Sequence, residues 1–289
     1  AEVNSETDFV AKNETFQEFV QTVADTALAS GLNGGANGED IDALLATNGL
    51  SDLLVEKTAT IGEKLSVRRF AKVTGDVVTS YIHGGGRIGV IIAANGATDD
   101  AAKEAITNIA MQVAAMNPQY ISRNDISDEE LAKLREITVD SALNDATTLP
   151  KPILNKLIDK AINEKLWSDD DINNFNEHKN NMNYVWNFLS DAAKAKLGEL
   201  AMADKESIVA EKMFNGLVEG RVSKQLKEIC LLDQTYVKAE DGKQSVAKYL
   251  ESVSKDLTIT EMVRFEVGEG MEKKQEDFAA EVAAQMAGV

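Results

Sequence analysis

The stretch "GDVVTSYIHGGGRIGVIIAANG" at residues 75–96 carries the clearest strand signal in the chain. Residues 77–83 are rich in β-branched and aromatic side chains, which alternate between the two faces of a strand, and residues 88–92 form an apolar run. Two such runs joined by a glycine-rich turn predict a β-hairpin. Helical patterns lie on both sides of this hairpin along the chain, and this mixture favours an α+β fold.

Amphipathic helices are predicted before and after the hairpin. Upstream, Asn13 is a good N-cap for a helix that ends near Ser30-Gly31. Downstream, Thr98 is the expected cap of a second helix, which ends before Pro118. Apolar residues recur at helical spacing in both segments. The expected buried stripes are Phe16, Phe19, Val20, Val23 and Ala27 in the first helix, and Ala102, Ile106, Ile109, Val113 and Met116 in the second.

The composition excludes several classes of function. A net charge of −18 over 289 residues repels phosphate backbones, so we expect no direct nucleic-acid partner. The single cysteine fits a reducing cytosol, and the two distant histidines form no zinc spacing, so we expect a cytoplasmic protein without a metal site or cofactor. No apolar run approaches the ~18 residues of a membrane span, so we expect no membrane partner.

The segment "HGGGR" at residues 83–87 permits two enzymatic interpretations. Glycine-rich turns can bind phosphate, and His-Gly-Gly-Gly can form the oxyanion loop of an esterase. The esterase also needs Gly-x-Ser-x-Gly, and the phosphate loop needs Gly-Lys-Ser/Thr; this sequence has neither. A hairpin turn that requires positive φ angles explains the glycines more simply. We therefore expect no catalytic residues and a protein that is not an enzyme.

Two charged clusters need a structural explanation. Arg68, Arg69 and Lys72 form the only dense basic cluster in the first half of the chain. Either local salt bridges or a face that contacts a partner would explain them. The acidic run 169–171 predicts the first turn of a helix, because three consecutive carboxylates cannot all face one metal ion.

The sequence "TDFV" at residues 7–10 precedes the Asn13 helix cap. Phe9 falls outside the apolar stripe that begins at Phe16, because the helix cap interrupts any continuous helical spacing. One interpretation is that Asp8 caps a turn and Phe9 packs on the domain's own core. The other is that an apolar ring beside a carboxylate contacts a partner molecule.

Four blocks of sequence resemble the elongation factor Ts family, whose members exchange the nucleotide of elongation factor Tu. The similarity runs in order through residues 1–140 and 208–286. The blocks are "EVNSETDFVAKNETFQEF" (2–19), "IGEKLSVRRF" (61–70), "YIHGGGRIGV" (81–90) and "VRFEVGEGMEKKQEDFAAEVA" (263–283).

The resemblance implies two related α+β core subdomains, a protruding helical coiled coil and a C-terminal helix. Short members of the family lack the segment 150–203, which we expect to be a helical insertion. Either its apolar residues form a small satellite core, or some of its aromatic rings form an exposed patch for a further partner; the residues concerned are Trp167, Trp186, Phe188 and Leu189. The family's N-terminal helical domain and part of the first strand are expected to be missing. The implied divisions are 1–75, 76–126 with 229–267, 127–228, and 268–289.

The resemblance also implies a binding function. The partner would be elongation factor Tu, both GDP-bound and nucleotide-free, and the chain would have no small-molecule substrate of its own. The alternative is a scaffold or assembly subunit that uses the same fold without exchange activity. Residues implied to disturb the Mg²⁺ site of the partner are Thr7, Asp8, Phe9 and Val10, and further implied contacts are Ile61, Gly62 and His83.

Overall fold

The computed structural model describes residues 1–271, whose mixture of helices and small antiparallel sheets confirms the predicted α+β class. Residues 1–117 and 235–271 form one compact unit, and residues 118–234 form another. The elements in chain order are β1 (Glu2–Asn4), α1 (Asp8–Ala11), α2 (Glu14–Ala29), α3 (Ile41–Leu45), α4 (Leu50–Ile61), β2 (Ser66–Arg69), β3 (Val77–His83), β4 (Ile88–Asn95), α5 (Asp100–Met116), α6 (Asp128–Asn144), α7 (Lys151–Asn163), α8 (Asp169–His178), α9 (Asp191–Ala203), α10 (Lys205–Val209), α11 (Lys212–Ile229), α12 (Val246–Val253) and β5 (Thr258–Glu266).

The predicted hairpin forms the edge strand β3 and the central strand β4 of a three-stranded antiparallel sheet in the order β3-β4-β5. His83 pairs with Ile88 at the turn, and Ile88 pairs with Glu266 on β5. Residues 84–86 have φ angles of 62°, 66° and 96°, which confirms that the glycines serve a turn with left-handed backbone.

Helix α5 packs on β3 and β4 and covers one face of this sheet. The predicted stripe is buried except at Met116, which is 48% exposed because it lies in the last turn. The expected cap Thr98 is wrong by one residue. Asp99 caps the helix, because its carboxylate accepts a hydrogen bond from the amide of Ala102 at 2.8 Å.

The second sheet consists of β1 and β2 and packs with α2 and α4 in a separate part of the same unit. Asn13 caps α2 as predicted, with its Oδ1 accepting from the amides of Thr15 at 2.8 Å and Phe16 at 3.3 Å. The predicted stripe of α2 is buried, apart from the half-buried Val20. Its burial against the small sheet completes the N-terminal core.

Arg69 on β2 connects the two sheets. Its Nε donates to the Glu2 carboxylate at 2.5 Å, and its Nη2 donates to the Glu269 carboxylate at 3.0 Å. Its Nη1 donates to the Ala36 carbonyl at 3.1 Å, and its guanidinium carbon lies 4.3 Å from the centre of the Phe265 ring. The salt-bridge interpretation of the basic cluster therefore holds for this residue.

Glu2 is the buried partner of two arginines, because Arg68 adds an ion pair to it at 2.9 Å. Burial by itself pushes the pKa of Glu2 upward. The hydrogen bonds and charges of Arg68 and Arg69 outweigh burial and hold the pKa of Glu2 below its ordinary 4.5. The folded chain thus favours the ionised form of this carboxyl.

We predict that Arg69→Lys lowers the free energy of unfolding by about 2–4 kcal/mol, because an ammonium cannot reproduce the planar fork over Phe265. Urea denaturation monitored by circular dichroism measures this loss. Arg87→Lys, at an exposed position of the hairpin, is the matched control and should change stability by less than about 0.5 kcal/mol. Equal stability of the two variants would contradict the central role of Arg69.

Glu2→Gln should destabilise the chain in a pH-dependent manner. Because the pKa of Glu2 is lower in the folded than in the unfolded chain, its carboxylate stabilises the fold at neutral pH, and this contribution disappears as the pH falls through the folded pKa. The stability difference between wild type and Glu2→Gln should be largest near neutral pH and should shrink as the pH falls below 4.5 and through the lowered pKa of the folded chain. A pH-independent difference would contradict this account.

The helical unit has one continuous core. Trp167 and Leu189, from the predicted insertion, are 4% and 5% exposed and belong to the same apolar cluster as Leu143 of α6 and Val218 of α11. The expected satellite core is therefore wrong, because the added helices share the core of the helices that flank them. Trp186 is half-buried against this cluster.

Asp171 fastens the start of α8 to the start of α9. Ser168 and Ser190 are the N-caps of these helices. The Asp171 carboxylate accepts from the Ser168 hydroxyl at 2.6 Å, the Ser190 hydroxyl at 2.9 Å and the Ser190 amide at 2.8 Å. Burial raises the pKa of Asp171, but these three hydrogen bonds outweigh burial and lower it overall. The acidic run thus opens a helix, as predicted.

We predict that Asp171→Ala destabilises the helical unit by about 1–3 kcal/mol, because the Ser168 hydroxyl and the Ser190 hydroxyl and amide lose their charged acceptor. Both tryptophans of the chain lie in this unit, so their fluorescence reports its unfolding. Asp170→Ala, which removes an exposed carboxylate next to Asp171, is the control and should lower stability by only about 0.5 kcal/mol, the charge effect at a helix start.

Among residues 1–271, no helix has both the length and the apolar character that would let it cross a membrane. Residues 267–270 form a turn after β5, so the first residues of the expected C-terminal helix are not helical. The remainder of the expected C-terminal helix, from residue 272, lies outside the described residues.

Candidate functional site

Residues 7–10 form a short helical turn that begins at a proper cap. Thr7 is extended and is the N-cap of α1, and its hydroxyl accepts from the amide of Val10 at 3.4 Å. Asp8 pairs with Lys12 at 3.3 Å, but both side chains are largely exposed, so this ion pair contributes little to stability. The turn separates β1 from the cap of α2.

Phe9 and Val10 differ sharply in burial. Phe9 is 80% exposed, the highest exposure among the large apolar residues described, whereas Val10 is half-buried against the N-terminal core. The interpretation that Phe9 packs on the domain's own core is therefore wrong. An aromatic ring this exposed leaves most of its apolar area available to a partner.

Ile61 and Gly62 lie at the end of α4. Ile61 is half-buried against the same N-terminal core that holds Val10. Gly62 has a φ angle of 80° and ends the helix, with its amide donating to the Thr58 carbonyl at 3.0 Å. This is the left-handed helix end that favours glycine.

Glu63 joins these two segments, and sequence analysis did not single it out. Its carboxylate accepts from the amides of Glu6 at 3.2 Å and Thr7 at 3.0 Å, and from the Thr7 hydroxyl at 2.6 Å. In return, the Glu6 carboxylate accepts from the amide of Lys64 at 3.2 Å. The only signal was a carboxylate directly after Gly62 in a block that resembles the family.

His83 occupies an exposed place at the end of β3. Its Nδ1 lies 3.0 Å from the Tyr81 hydroxyl. Across the sheet, His83 pairs with Ile88 and Ile88 with Glu266, whose carbonyl accepts from Arg69 at 3.3 Å. Two strand spacings place His83 about 10 Å from Glu266.

The structure thus brings together two of the three sequence-predicted segments. Glu63 fastens residues 7–10 to the end of α4 directly, whereas His83 is connected to them only through the sheet and Arg69. Within residues 1–271, no group of three or more His, Cys, Asp or Glu side chains is placed to hold a metal ion. Phe9, Gly62 and His83 lie at exposed positions, whereas Val10 and Ile61 are half-buried.

We predict that Glu63→Ala loosens the turn at residues 7–10 without unfolding the core, because the amides of Glu6 and Thr7 lose their acceptor. Hydrogen exchange of the Thr7 amide should accelerate at least tenfold, which corresponds to about 1.4 kcal/mol of local stability. Glu18→Ala, on the exposed side of α2, should leave that exchange rate unchanged. Unaltered exchange in Glu63→Ala would show that the turn does not depend on this carboxylate.

Comparison with known proteins confirms the resemblance of the four sequence blocks. The family model described as "Elongation factor TS" matches residues 6–269. "Elongation factor Ts" of Clostridioides difficile (strain 630) is 38% identical over 294 residues, an alignment that covers 99% of this chain and 75% of that protein. The match includes α1, the end of α4 and the hairpin with His83. The chain therefore belongs to the elongation factor Ts family.

Proposed function

We propose that this chain is a guanine-nucleotide exchange factor that binds elongation factor Tu and promotes the release of GDP. Its membership of the elongation factor Ts family supports the partner. The observation that carries the mechanism is Phe9, which is 80% exposed on a turn held by Glu63. Such a factor breaks no covalent bond and is not an enzyme in the chemical sense.

Phe9 would act as a wedge on the nucleotide site of the partner. A GTPase of this kind holds GDP through its phosphate loop and through a Mg²⁺ ion bridging phosphate and protein oxygens. Mg²⁺ requires nearly ideal octahedral geometry, so a small displacement of a neighbouring helix weakens its binding. The ring of Phe9 supplies the apolar wedge, and Asp8 supplies a hydrogen-bonding carboxylate beside it.

The support of the turn favours this role. Thr7 is held by Glu63 at one end of the segment, and Val10 is held by the N-terminal core at the other. The turn is therefore already ordered in the free chain. Less of the interaction free energy is then lost to ordering it when the complex forms. Ile61, Gly62 and His83 are the further contacts in this proposal.

Linkage then explains how binding releases the nucleotide. A factor that binds nucleotide-free elongation factor Tu more tightly than the GDP-bound form weakens GDP binding by the same ratio. The charge of −18 favours a basic surface on the partner and suits fast association.

We predict that Phe9→Ala slows catalysed GDP release at least tenfold, which equals about 1.4 kcal/mol of transition-state stabilisation. Stopped-flow fluorescence of labelled GDP bound to elongation factor Tu measures the rate. Stability should change by less than about 0.5 kcal/mol, because Phe9 makes few contacts in the free chain. Leu28→Ala is the matched control, because Leu28 is 67% exposed on α2 outside the proposed site.

Two results would contradict the proposal. Wild-type chain that binds elongation factor Tu without accelerating GDP release would identify a scaffold with the same fold. Equal rates for Phe9→Ala and wild type would show that the wedge lies elsewhere on the chain.

A further inference from the structure

We infer that Tyr81 is a positioning residue for His83, and that its hydroxyl holds the imidazole so that the Nε2–H group is presented to elongation factor Tu. This inference rests on the proposed function and deepens it, because it names the group that orients one contact and the chemistry that the contact requires. It follows from the geometry of β3 and from the hydrogen-bonding capacities of phenol and imidazole.

Tyr81 and His83 lie two residues apart on one strand, so both side chains stand on the same face of the sheet. The Tyr81 hydroxyl lies 3.0 Å from Nδ1 of His83. The two ring centres are 5.9 Å apart and the ring planes are inclined by 37°. The pair is thus joined at one ring nitrogen, and the other nitrogen, Nε2, has no part in this bond.

The chemistry of the two groups decides which one donates. A neutral imidazole has one N–H donor and one nitrogen that accepts. The unprotonated imidazole nitrogen is a stronger base than a phenol oxygen, so the favourable bond runs from the Tyr81 hydroxyl to Nδ1. The proton of the neutral ring then resides on Nε2.

The surroundings hold Tyr81 and leave His83 accessible. Tyr81 is half-buried and pairs across the hairpin with Val90, which is 3% exposed. At the neighbouring tip, a Cβ atom added to Gly85 or Gly86 would meet no atom within 4 Å. The open glycine turn therefore gives a partner access to the imidazole, while its orientation is set from the sheet side.

A fixed Nε2–H group makes a specific demand on the partner. The atom of elongation factor Tu that faces it must be a hydrogen-bond acceptor, such as a carboxylate or a backbone carbonyl oxygen. Without the Tyr81 hydroxyl, the ring can rotate and exchange its proton between the two nitrogens. Only a fraction of the molecules then presents the donor that the partner needs.

The chain contains an internal reference for this tautomer. His178 is the second of its two histidines, and its Nδ1 lies 2.9 Å from the carbonyl oxygen of Asn174. A carbonyl oxygen only accepts, so Nδ1 of His178 must carry the proton. The two histidines are therefore expected to hold opposite neutral tautomers.

Nitrogen-15 NMR of the imidazole rings at about pH 8, where free imidazole is neutral, tests the first step on the full chain alone. We expect protonated Nε2 in His83 and protonated Nδ1 in His178. Tyr81→Phe should shift the His83 signals toward a tautomer mixture and leave those of His178 unchanged. Protonated Nδ1 in wild-type His83, or identical His83 signals in Tyr81→Phe, would overturn the inference.

Binding to elongation factor Tu, measured by titration calorimetry, tests the second step. Tyr81→Phe should weaken binding about three- to tenfold, as the loss of one neutral hydrogen bond predicts. It should have no further effect in a His83→Ala background, because the two residues act as one unit. Tyr120→Phe removes a comparable hydroxyl that bonds Glu130 at 3.1 Å, and is the control that should bind like wild type.

The outcomes separate this inference from the proposed function. Full affinity of Tyr81→Phe for elongation factor Tu would overturn the positioning role. So would a loss of affinity from Tyr81→Phe that is as large in the His83→Ala background as in the wild type. Neither result bears on the exchange function if the wild type still accelerates GDP release. Absence of any binding by the wild-type chain would overturn the proposed function itself, and the NMR comparison would still decide the tautomer.

Discussion

The arrangement of the core depends on the hydrogen bonds and ion pairs of the Arg69 guanidinium. Arg69 is 6% exposed as a side chain, and it bonds β1 through Glu2, the loop at Ala36 and the segment after β5 through Glu269. A buried cation is costly unless its donors are paired, so these acceptors must remain in place together. Arg69 therefore bonds the small sheet through Glu2 and the larger sheet through the carbonyl of Glu266.

The candidate site depends on this arrangement because its parts lie in both halves of the core. Thr7 follows β1 closely, so the pairing of Glu2 with Arg69 also places the turn that carries Phe9. His83 stands at the end of the sheet whose far strand is bonded to Arg69. A site built from exposed side chains on such a support loses little conformational freedom on binding.

The helical unit illustrates a different constraint. Its core runs without interruption from α6 through the added helices to α11, so the segment 150–203 is an integral part of the unit. Asp171 secures two helix starts within it through three hydrogen bonds. The continuity arises because the helices α6, α7, α9 and α11 each bury an apolar face, and a shared core removes more apolar surface from water than two small ones.

The sequence by itself determined the local elements and the family. Periodicity, caps and the glycine turn predicted α2, α5 and the hairpin, because these signals depend on near neighbours in the chain. Four ordered blocks of sequence pointed to the family and to residues 7–10, 61–62 and 83. The tertiary structure alone decided that Phe9 is exposed and Val10 is not, that Glu63 braces Thr7, that Tyr81 bonds His83, and that Arg69 joins two sheets. Burial and most of these partners depend on residues far apart in sequence, and no local pattern encodes which distant groups meet.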